Sequence, residues 1–309
     1  MQKINDIVPV QFNTAVALGF FDGLHIGHRK VLAQVVEQKQ NGLVPLCFTF
    51  AQSPKSILRG TSESALVSEN DKLKILDEIG IEHTVCADFR AIMNMSAEEF
   101  VSEILAKRLR AKFAACGFNY RFGKNGEGDS ETLKRLCTEH GIEVVVVSPE
   151  ISEGEVVSST LIRGLIGEGK VRRANELLGS EFGFCSTIEH GKRLGRQLGT
   201  PTINQPLCPE LVVPRFGVYA SAVTLENGDV YCGVTNIGVK PTIGKFAPLC
   251  ETWMPDYNGG EIYGETADIR LLDFVREEKK FDNIDMLKTA ILENAKTAKI
   301  IFDEIITGS

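Results

Sequence analysis

The sequence predicts an α/β protein in two parts, an N-terminal half built on a parallel sheet and a C-terminal half built as a small antiparallel β-barrel with a terminal helix. Three observations predict it. Short apolar runs alternate with helix-period segments as far as Leu178. Glycine-rich turns and short strands then replace that alternation, and one apolar stripe runs along the last stretch of the chain.

The first strand spans 15–21, Gly23 and Gly27 mark a tight turn, and a helix-period pattern runs over 28–40. A second strand spans 43–50. Ser68 opens a helix through Ile79 that Gly80 can cap, and 81–86 is a short strand. Ser96 with Glu99 makes a capping box for a helix through Leu109, 113–117 is a strand, Asp129 caps a helix ending near Gly141, and 143–148 is a strand. Five strands alternating with helices imply a parallel sheet with right-handed crossovers and helices on both faces. Ligands on such sheets bind beyond the carboxyl ends of the strands, where the turn after the first strand lies.

The boundary is expected near Gly179, giving domains 1–181 and 182–309. Beyond it, Asn227-Gly228 joins strands 218–225 and 230–235 as a hairpin, and 183–189, 249–254 and 266–272 read as further strands. Ile284, Leu287, Ile291, Ala295, Ala298, Phe302 and Ile305 recur at spacings of three or four, which is the core-facing stripe of a long terminal helix.

At 309 residues, with 43% apolar and 24% charged residues, the chain can bury two cores and is not disordered. A net charge of -7 argues against a nucleic-acid partner but leaves a local nucleotide pocket open. The eight cysteines are scattered without a C-x-x-C pair and read as reduced, mostly buried small hydrophobes. No signal pattern precedes the first strand, and no apolar run approaches the ~18 residues of a membrane span. A cytoplasmic protein with no membrane partner is expected; its oligomeric state is not legible.

Four stretches carry chemistry. In Gly19-Phe20-Phe21-Asp22-Gly23-Leu24-His25-Ile26-Gly27-His28, a strand, a glycine turn and a helix start aim backbone N–H groups and a helix dipole at one spot. His25 and His28 can both donate to an anion there. A metal site would need further Cys or His ligands nearby, and a structural loop with incidental histidines is the bland alternative; a phosphate cradle is favoured. It is not a P-loop, because the Gly-Lys-Ser/Thr end is missing. Gly117-Phe118-Asn119-Tyr120-Arg121-Phe122-Gly123 follows a strand and reads as a binding loop or a structural Ω-loop. Val157-Ser158-Ser159-Thr160-Leu161-Ile162-Arg163 gathers hydroxyls at a helix start, as phosphate ligands or plain N-caps, with Arg163 one turn in. Gly191-Lys192-Arg193-Leu194-Gly195-Arg196-Gln197-Leu198-Gly199-Thr200-Pro201-Thr202-Ile203-Asn204 combines glycines, basic residues and oxygen donors suited to Mg²⁺; by composition alone a flexible basic loop fits equally.

Gly19-x-Phe21-Asp22-Gly23-x-His25-x-Gly27-His28 resembles the first motif of the bacterial bifunctional riboflavin kinase/FMN adenylyltransferases, the FAD synthetase family. The motif running from Gly191 to Asn204 resembles that family's riboflavin kinase motif and is the more specific of the two. Gly217-Val218-Tyr219-Ala220, Gly233 to Gly238, Pro241-Thr242 and Arg276-x-Glu278-x-Lys280-Phe281 match in order, so the resemblance covers nearly the whole chain.

It implies a Rossmann-like nucleotidylyltransferase domain and a riboflavin kinase barrel. For adenylyl transfer it implies His25, His28 and Arg163 as catalytic groups, with Gly19, Phe20, Asp22, Gly23, Asn119, Ser159 and Thr160 binding nucleotide or flavin. For the kinase it implies Glu251 as base, Thr202 and Asn204 on Mg²⁺ and phosphates, and Gly191, Gly195, Gly199, Asn236 and Arg276 in binding. The substrates and products would be ATP, riboflavin, FMN and FAD: riboflavin is phosphorylated to FMN, and FMN is adenylylated to FAD. A single-activity adenylyltransferase and a flavin-binding module with one degenerate site stand as alternatives. The chain departs from the family pattern at Ala51-Gln52-Ser53-Pro54, where an acidic residue and Pro-His-Pro are usual. It departs again at Gly260-Glu261-Ile262-Tyr263-Gly264, where Asp-Leu-Tyr-Gly is usual.

Overall fold

The computed structural model describes residues 1–4, 6–190, 200–239 and 248–308. The chain packs as two units, Met1–Glu63 with Glu69–Ser158, and Ser64–Ser68 with Ser159–Ser309.

The first unit holds a six-stranded sheet of β1 (Gln2–Ile4), β2 (Thr14–Leu18), β3 (Val44–Phe50), β4 (His83–Ala87), β5 (Ala111–Gly117) and β6 (Glu143–Val147). Its order is β1-β4-β3-β2-β5-β6, with every pair parallel. The sequence predicts five of these strands. β1 is the addition, three residues with no readable alternation, formed only because β4 offers it an edge. β2 is buried along its whole length, as a strand covered by helices on both faces must be. From β2 the chain winds to β3 and β4, then returns to β5 on β2's other side. The sheet therefore changes winding direction between β2 and β5. After β6, β7 (Ile151–Ser152) and β8 (Glu155–Val156) pair as a short antiparallel ribbon of their own.

The helices of this unit are α1 (Ile26–Val36), α2 (Pro54–Arg59), α3 (Glu69–Ile79), α4 (Phe89–Ile92), α5 (Ala97–Glu99) and α6 (Ser130–Glu139). The Ser96/Glu99 capping box forms in both directions, and α5 runs on into a π-helical stretch, Phe100–Arg108. Asp129 caps α6 by accepting the Thr132 N–H at 2.9 Å. α1 starts two residues before the expected His28, because the His25 imidazole supplies its cap.

In the second unit, β9 (Gly183–Thr187), β10 (Thr202–Pro206), β11 (Gly217–Leu225), β12 (Val230–Val239), β13 (Pro248–Trp253) and β14 (Thr266–Arg276) form an antiparallel sheet ordered β10-β13-β12-β11-β14-β9. The two ends of this sheet meet where the Glu189 N–H donates to the Asn204 carbonyl at 2.7 Å, leaving a near-closed barrel. β10 is a correction: the end of the motif that reads as a loop is a strand, drawn into the ladder by β13. Helices α7 (Ser159–Gly167) and α8 (Val171–Leu178) pack in this unit, although the sequence places them before the expected boundary at 181. Asn175 of α8 donates to the Leu271 carbonyl and accepts the Phe182 N–H, both at 2.8 Å.

The outer face of the barrel, through Val218, Val234 and Leu272, packs Ala298 and Phe302 of the terminal helix Ile284–Phe302. The expected stripe holds from Leu287 onward, but Ile284 in the first turn is 63% exposed and a polar residue, Asn294, is buried along the seam. Inside the barrel a chain of hydroxyls crosses three strands, Ser221 to Thr235 at 2.7 Å and Thr235 to Thr252 at 2.8 Å, all fully buried.

Candidate active sites

The first candidate site is the turn after β2, at the point where the sheet changes direction. Gly19 is a packing requirement: the ring of Phe21 folds back over its α-carbon, and a Cβ there would strike the ring. Phe21 and Leu24 take left-handed backbone conformations at φ 52° and 47°, and Gly23 does so at φ 76°. Such a conformation strains a bulky residue, so the surrounding structure must hold the turn in place. Asp22 and Gly23 are buried within it, and Phe20 is half-buried.

His25 and His28 stack with ring centroids 3.5 Å apart, and the Phe21 ring meets His28 edge-on at 5.3 Å. His25 Nδ1 accepts the backbone N–H of His28 at 3.2 Å, which leaves Nε2 as the proton-bearing nitrogen of its neutral ring. Burial lowers the His25 pKa to about 4. His28 is pushed well below its ordinary value, by burial first and then by the charges of His25 and Lys72, and its Nδ1 is buried without a partner. Both rings are therefore neutral at pH 7 and act as single donors, not as a cationic pair. Asn119 lies exposed in the turn after β5, the strand beside β2.

Lys72 joins this site without any motif to announce it. It sits on α3 where the stripe of Ile75, Leu76 and Ile79 calls for an apolar residue, and that mismatch is the one signal the sequence offers. Its Nζ donates to the Phe20 carbonyl at 2.6 Å and to Thr49 Oγ1 at 3.0 Å. At the departure after β3, Ser53 caps α2 by accepting the Ser56 N–H, and Pro54 takes the first helical position.

Ser159, Thr160 and Arg163 belong to the second unit, in the first turns of α7. Arg163 Nε donates to the Ser64 carbonyl at 2.8 Å.

The second candidate site is a row across the barrel. Asn204 on β10 and Asn236 on β12 flank Glu251 of β13 at the same register, so the three side chains share one face of the sheet. Val218 continues the row from Asn236, and Arg276 of β14 stands opposite Val218. Thr202 is two residues from Asn204 on the same face. Hydroxyl and amide oxygens beside a carboxylate are hard donors, a set that fits Mg²⁺.

Arg276 is held rather than swinging freely: Nε donates to Asn294 of the terminal helix at 3.1 Å, Nη1 to the Glu277 carbonyl at 2.8 Å, and the guanidinium lies 5.5 Å over Phe281. Glu278 also reaches this face, accepting from Asn236 at 3.5 Å and packing where a Cβ on Gly238 would collide with it. Gly191, Gly195, Gly199 and Pro241-Thr242 lie outside the described residues. Among the described residues no cluster of three or more His, Cys, Asp or Glu could hold a metal, which leaves the oxygen-donor row as the metal candidate.

A Rossmann-like sheet with a histidine-bearing turn at its switch point, followed by a barrel with a Glu flanked by two Asn, defines an enzyme of nucleotidylyl and phosphoryl transfer. The FAD synthetase family model matches residues 8–161 and the riboflavin kinase model residues 178–302. The bifunctional riboflavin kinase/FMN adenylyltransferase of Escherichia coli K12 is 32% identical over 295 residues, covering 94% of each chain. That of Bacillus subtilis 168 is 31% identical over 310 residues, 96% of this chain and 94% of its own. A crystal structure from Streptococcus pneumoniae described as a macrolide-efflux protein superposes with a TM-score of 0.88 at 28% identity, covering 96% of this chain and 98% of that one. No helix among the described residues is long and apolar enough to cross a membrane.

The chain belongs to the bacterial bifunctional riboflavin kinase/FMN adenylyltransferase family. It phosphorylates riboflavin to FMN with one ATP and adenylylates FMN to FAD with another.

Proposed function

We propose that the two reactions use two separate sets of residues, domain 1–181 serving adenylyl transfer and 182–309 the kinase reaction. The division is supported by the two family matches, 8–161 and 178–302. The observation that carries the kinase assignment is the row Asn204, Glu251, Asn236, three oxygen-bearing side chains on adjacent strands at one register.

In the kinase reaction the Glu251 carboxylate accepts the proton of the ribityl 5′-hydroxyl as its oxygen bonds to the γ-phosphorus of ATP, and the bond to the β-phosphate oxygen breaks to release ADP. Thr202 and Asn204 would hold Mg²⁺, which supplies charge neutralisation on the phosphates. Asn236 and Arg276 orient substrate on the same face.

In adenylyl transfer the phosphate of FMN attacks the α-phosphorus of ATP and pyrophosphate leaves. The nucleophile is already anionic, so the step needs alignment and stabilisation of charge rather than a base. Neutral His25 and His28 donate hydrogen bonds to phosphoryl oxygens, and Asn119 binds substrate. The resemblance assigns Ser159, Thr160 and Arg163 to the triphosphate of the same reaction. The reading of the enzyme as cytoplasmic is supported by its cysteines, all free, with six of the eight buried.

Incubation with riboflavin, ATP and Mg²⁺, followed by chromatography of the flavins over time, tests the assignment. FMN should appear first and FAD follow. FMN accumulating without FAD would reject the N-terminal assignment, and riboflavin left unchanged would reject the C-terminal one.

A further inference from the structure

Lys72 carries an ammonium into the inner side of α3, beneath the turn that presents His25 and His28. Its Nζ donates to the Phe20 carbonyl at 2.6 Å and to Thr49 Oγ1 at 3.0 Å, and that hydroxyl donates to the same carbonyl at 2.8 Å. Both lone pairs of one carbonyl are thus taken, in a closed triangle with a fully buried threonine. The next residue is Phe21, held at φ 52° and ψ 42°. A bulky residue in this left-handed region is strained, and fixing the peptide before it offsets that strain.

A buried ammonium is expensive and persists only where its surroundings answer it. Burial lowers the Lys72 pKa, and the carboxylates of Asp22 in the turn and Glu69 on α3 oppose that shift. The neighbouring thiols of Cys47 and Cys86 on β3 and β4 are themselves pushed up by burial and stay neutral at pH 7. The Phe20 ring lies 5.0 Å from the ammonium. His28 feels its charge directly, alongside that of His25.

We propose that Lys72 is a positioning residue for adenylyl transfer: through the Phe20 carbonyl it locks the Phe20–Phe21 peptide in the turned form that aims His25 and His28 at the nucleotide phosphates. Its charge also opposes a proton on His28. The inference rests on the reading of that turn as the adenylyl-transfer site. A lysine that only filled space would carry no charge-dependent effect on the reaction.

The test uses the full chain with Lys72→Met, Lys72→Arg and Thr49→Val, and with His28→Ala in parallel. FAD formation from FMN and ATP is measured as kcat, KM and the pH profile of kcat. Thermal unfolding of each variant followed by circular dichroism serves as the control for folding of the N-terminal sheet, and FMN formation from riboflavin serves as the control for the other site. Lys72→Met should lower kcat for FAD formation by ~10²-fold with a smaller change in KM, the loss typical of a disordered transition-state donor. It should also move the acid limb of the profile to higher pH, because His28 then takes a proton more readily. Lys72→Arg should recover most of the kcat and restore the limb.

Deleting a buried ammonium can unfold the sheet, so Thr49→Val gives a second reading. It breaks two sides of the triangle but keeps the charge, and should lower kcat roughly 10-fold, the equivalent of one hydrogen bond, without moving the acid limb. Wild-type kcat and an unmoved limb in Lys72→Met, or wild-type kcat in Thr49→Val, with His28→Ala inactive for FAD, would overturn this inference alone. His28→Ala retaining full FAD formation would overturn the site reading and this inference with it.

Discussion

Asn204 and Glu251 stand opposite each other on neighbouring strands of the barrel, in the register that also sets Asn236 on the far side of Glu251. Strand pairing on both sides fixes the backbone from which the carboxylate projects, and a base that is to meet one hydroxyl proton needs such a fixed origin. Glu251→Gln keeps the shape and removes the proton acceptor. It should slow FMN formation by ~10²- to 10⁴-fold and leave conversion of supplied FMN to FAD unchanged. Initial rates of both reactions on one preparation check this, and equal losses in both would count against a base confined to the barrel.

The buried histidines make the protein sensitive to acid. An imidazole in the unfolded chain titrates near 6.5, while burial holds His25 at about 4 in the folded one. Above pH 6.5 both states are neutral and the contribution is whole. As the pH falls towards 4, the unfolded chain binds a proton that the folded one refuses, and stability drops. At ~1.4 kcal/mol for each tenfold difference in proton affinity, the loss from His25 is on the order of 3 kcal/mol, and His28 adds to it in the same direction. Urea midpoints at pH 7.5 and 5 should therefore fall with acid by less in His25→Gln than in the natural chain. His83, also lowered by burial, is common to both and cancels. Equal acid sensitivity in the two proteins would contradict the assignment.

The hydroxyl chain inside the barrel ties together β11, β12 and β13, the last two of which carry Asn236 and Glu251. Thr235 is its middle member, bonded on both sides. Thr235→Val leaves Ser221 and Thr252 buried without that partner and should cost about 1–3 kcal/mol. With Thr252→Val as well, the orphaned hydroxyl at 252 is gone, so the double variant should lose less than the sum of the singles. Denaturation of the four proteins in the cycle measures the coupling; strict additivity would mean that the hydroxyls act independently.

Much of this architecture is legible because local signals and tertiary demands agree. The Ser96/Glu99 box, the Asp129 cap and the Asn227-Gly228 hairpin all form where their side-chain chemistry requires, Gly228 at φ 88°. The motif residues Asn204, Glu251, Asn236 and Arg276 are identified by resemblance, but their alignment in one row depends on strand pairing between segments far apart in sequence. β10 is hidden because its strand character comes from β13 and not from its own alternation. Lys72 and Asn294 interrupt apolar stripes, and a stripe read by periodicity treats such residues as tolerated exceptions. In the structure each holds a candidate site residue instead, Lys72 through the Phe20 carbonyl and Asn294 through Arg276.

Two separable sites, on this account, act in series on one chain. The most direct test is to give His28→Ala and Glu251→Gln, singly and mixed, riboflavin, ATP and Mg²⁺, and to resolve the flavins by chromatography. His28→Ala should stop at FMN, with FAD formation down ~10²- to 10³-fold, the usual loss for one transition-state donor. Glu251→Gln should leave riboflavin almost untouched, and the mixture should make FAD, because FMN released by one protein is adenylylated by the other. A folded His28→Ala protein that makes neither FMN nor FAD would contradict the two-site account.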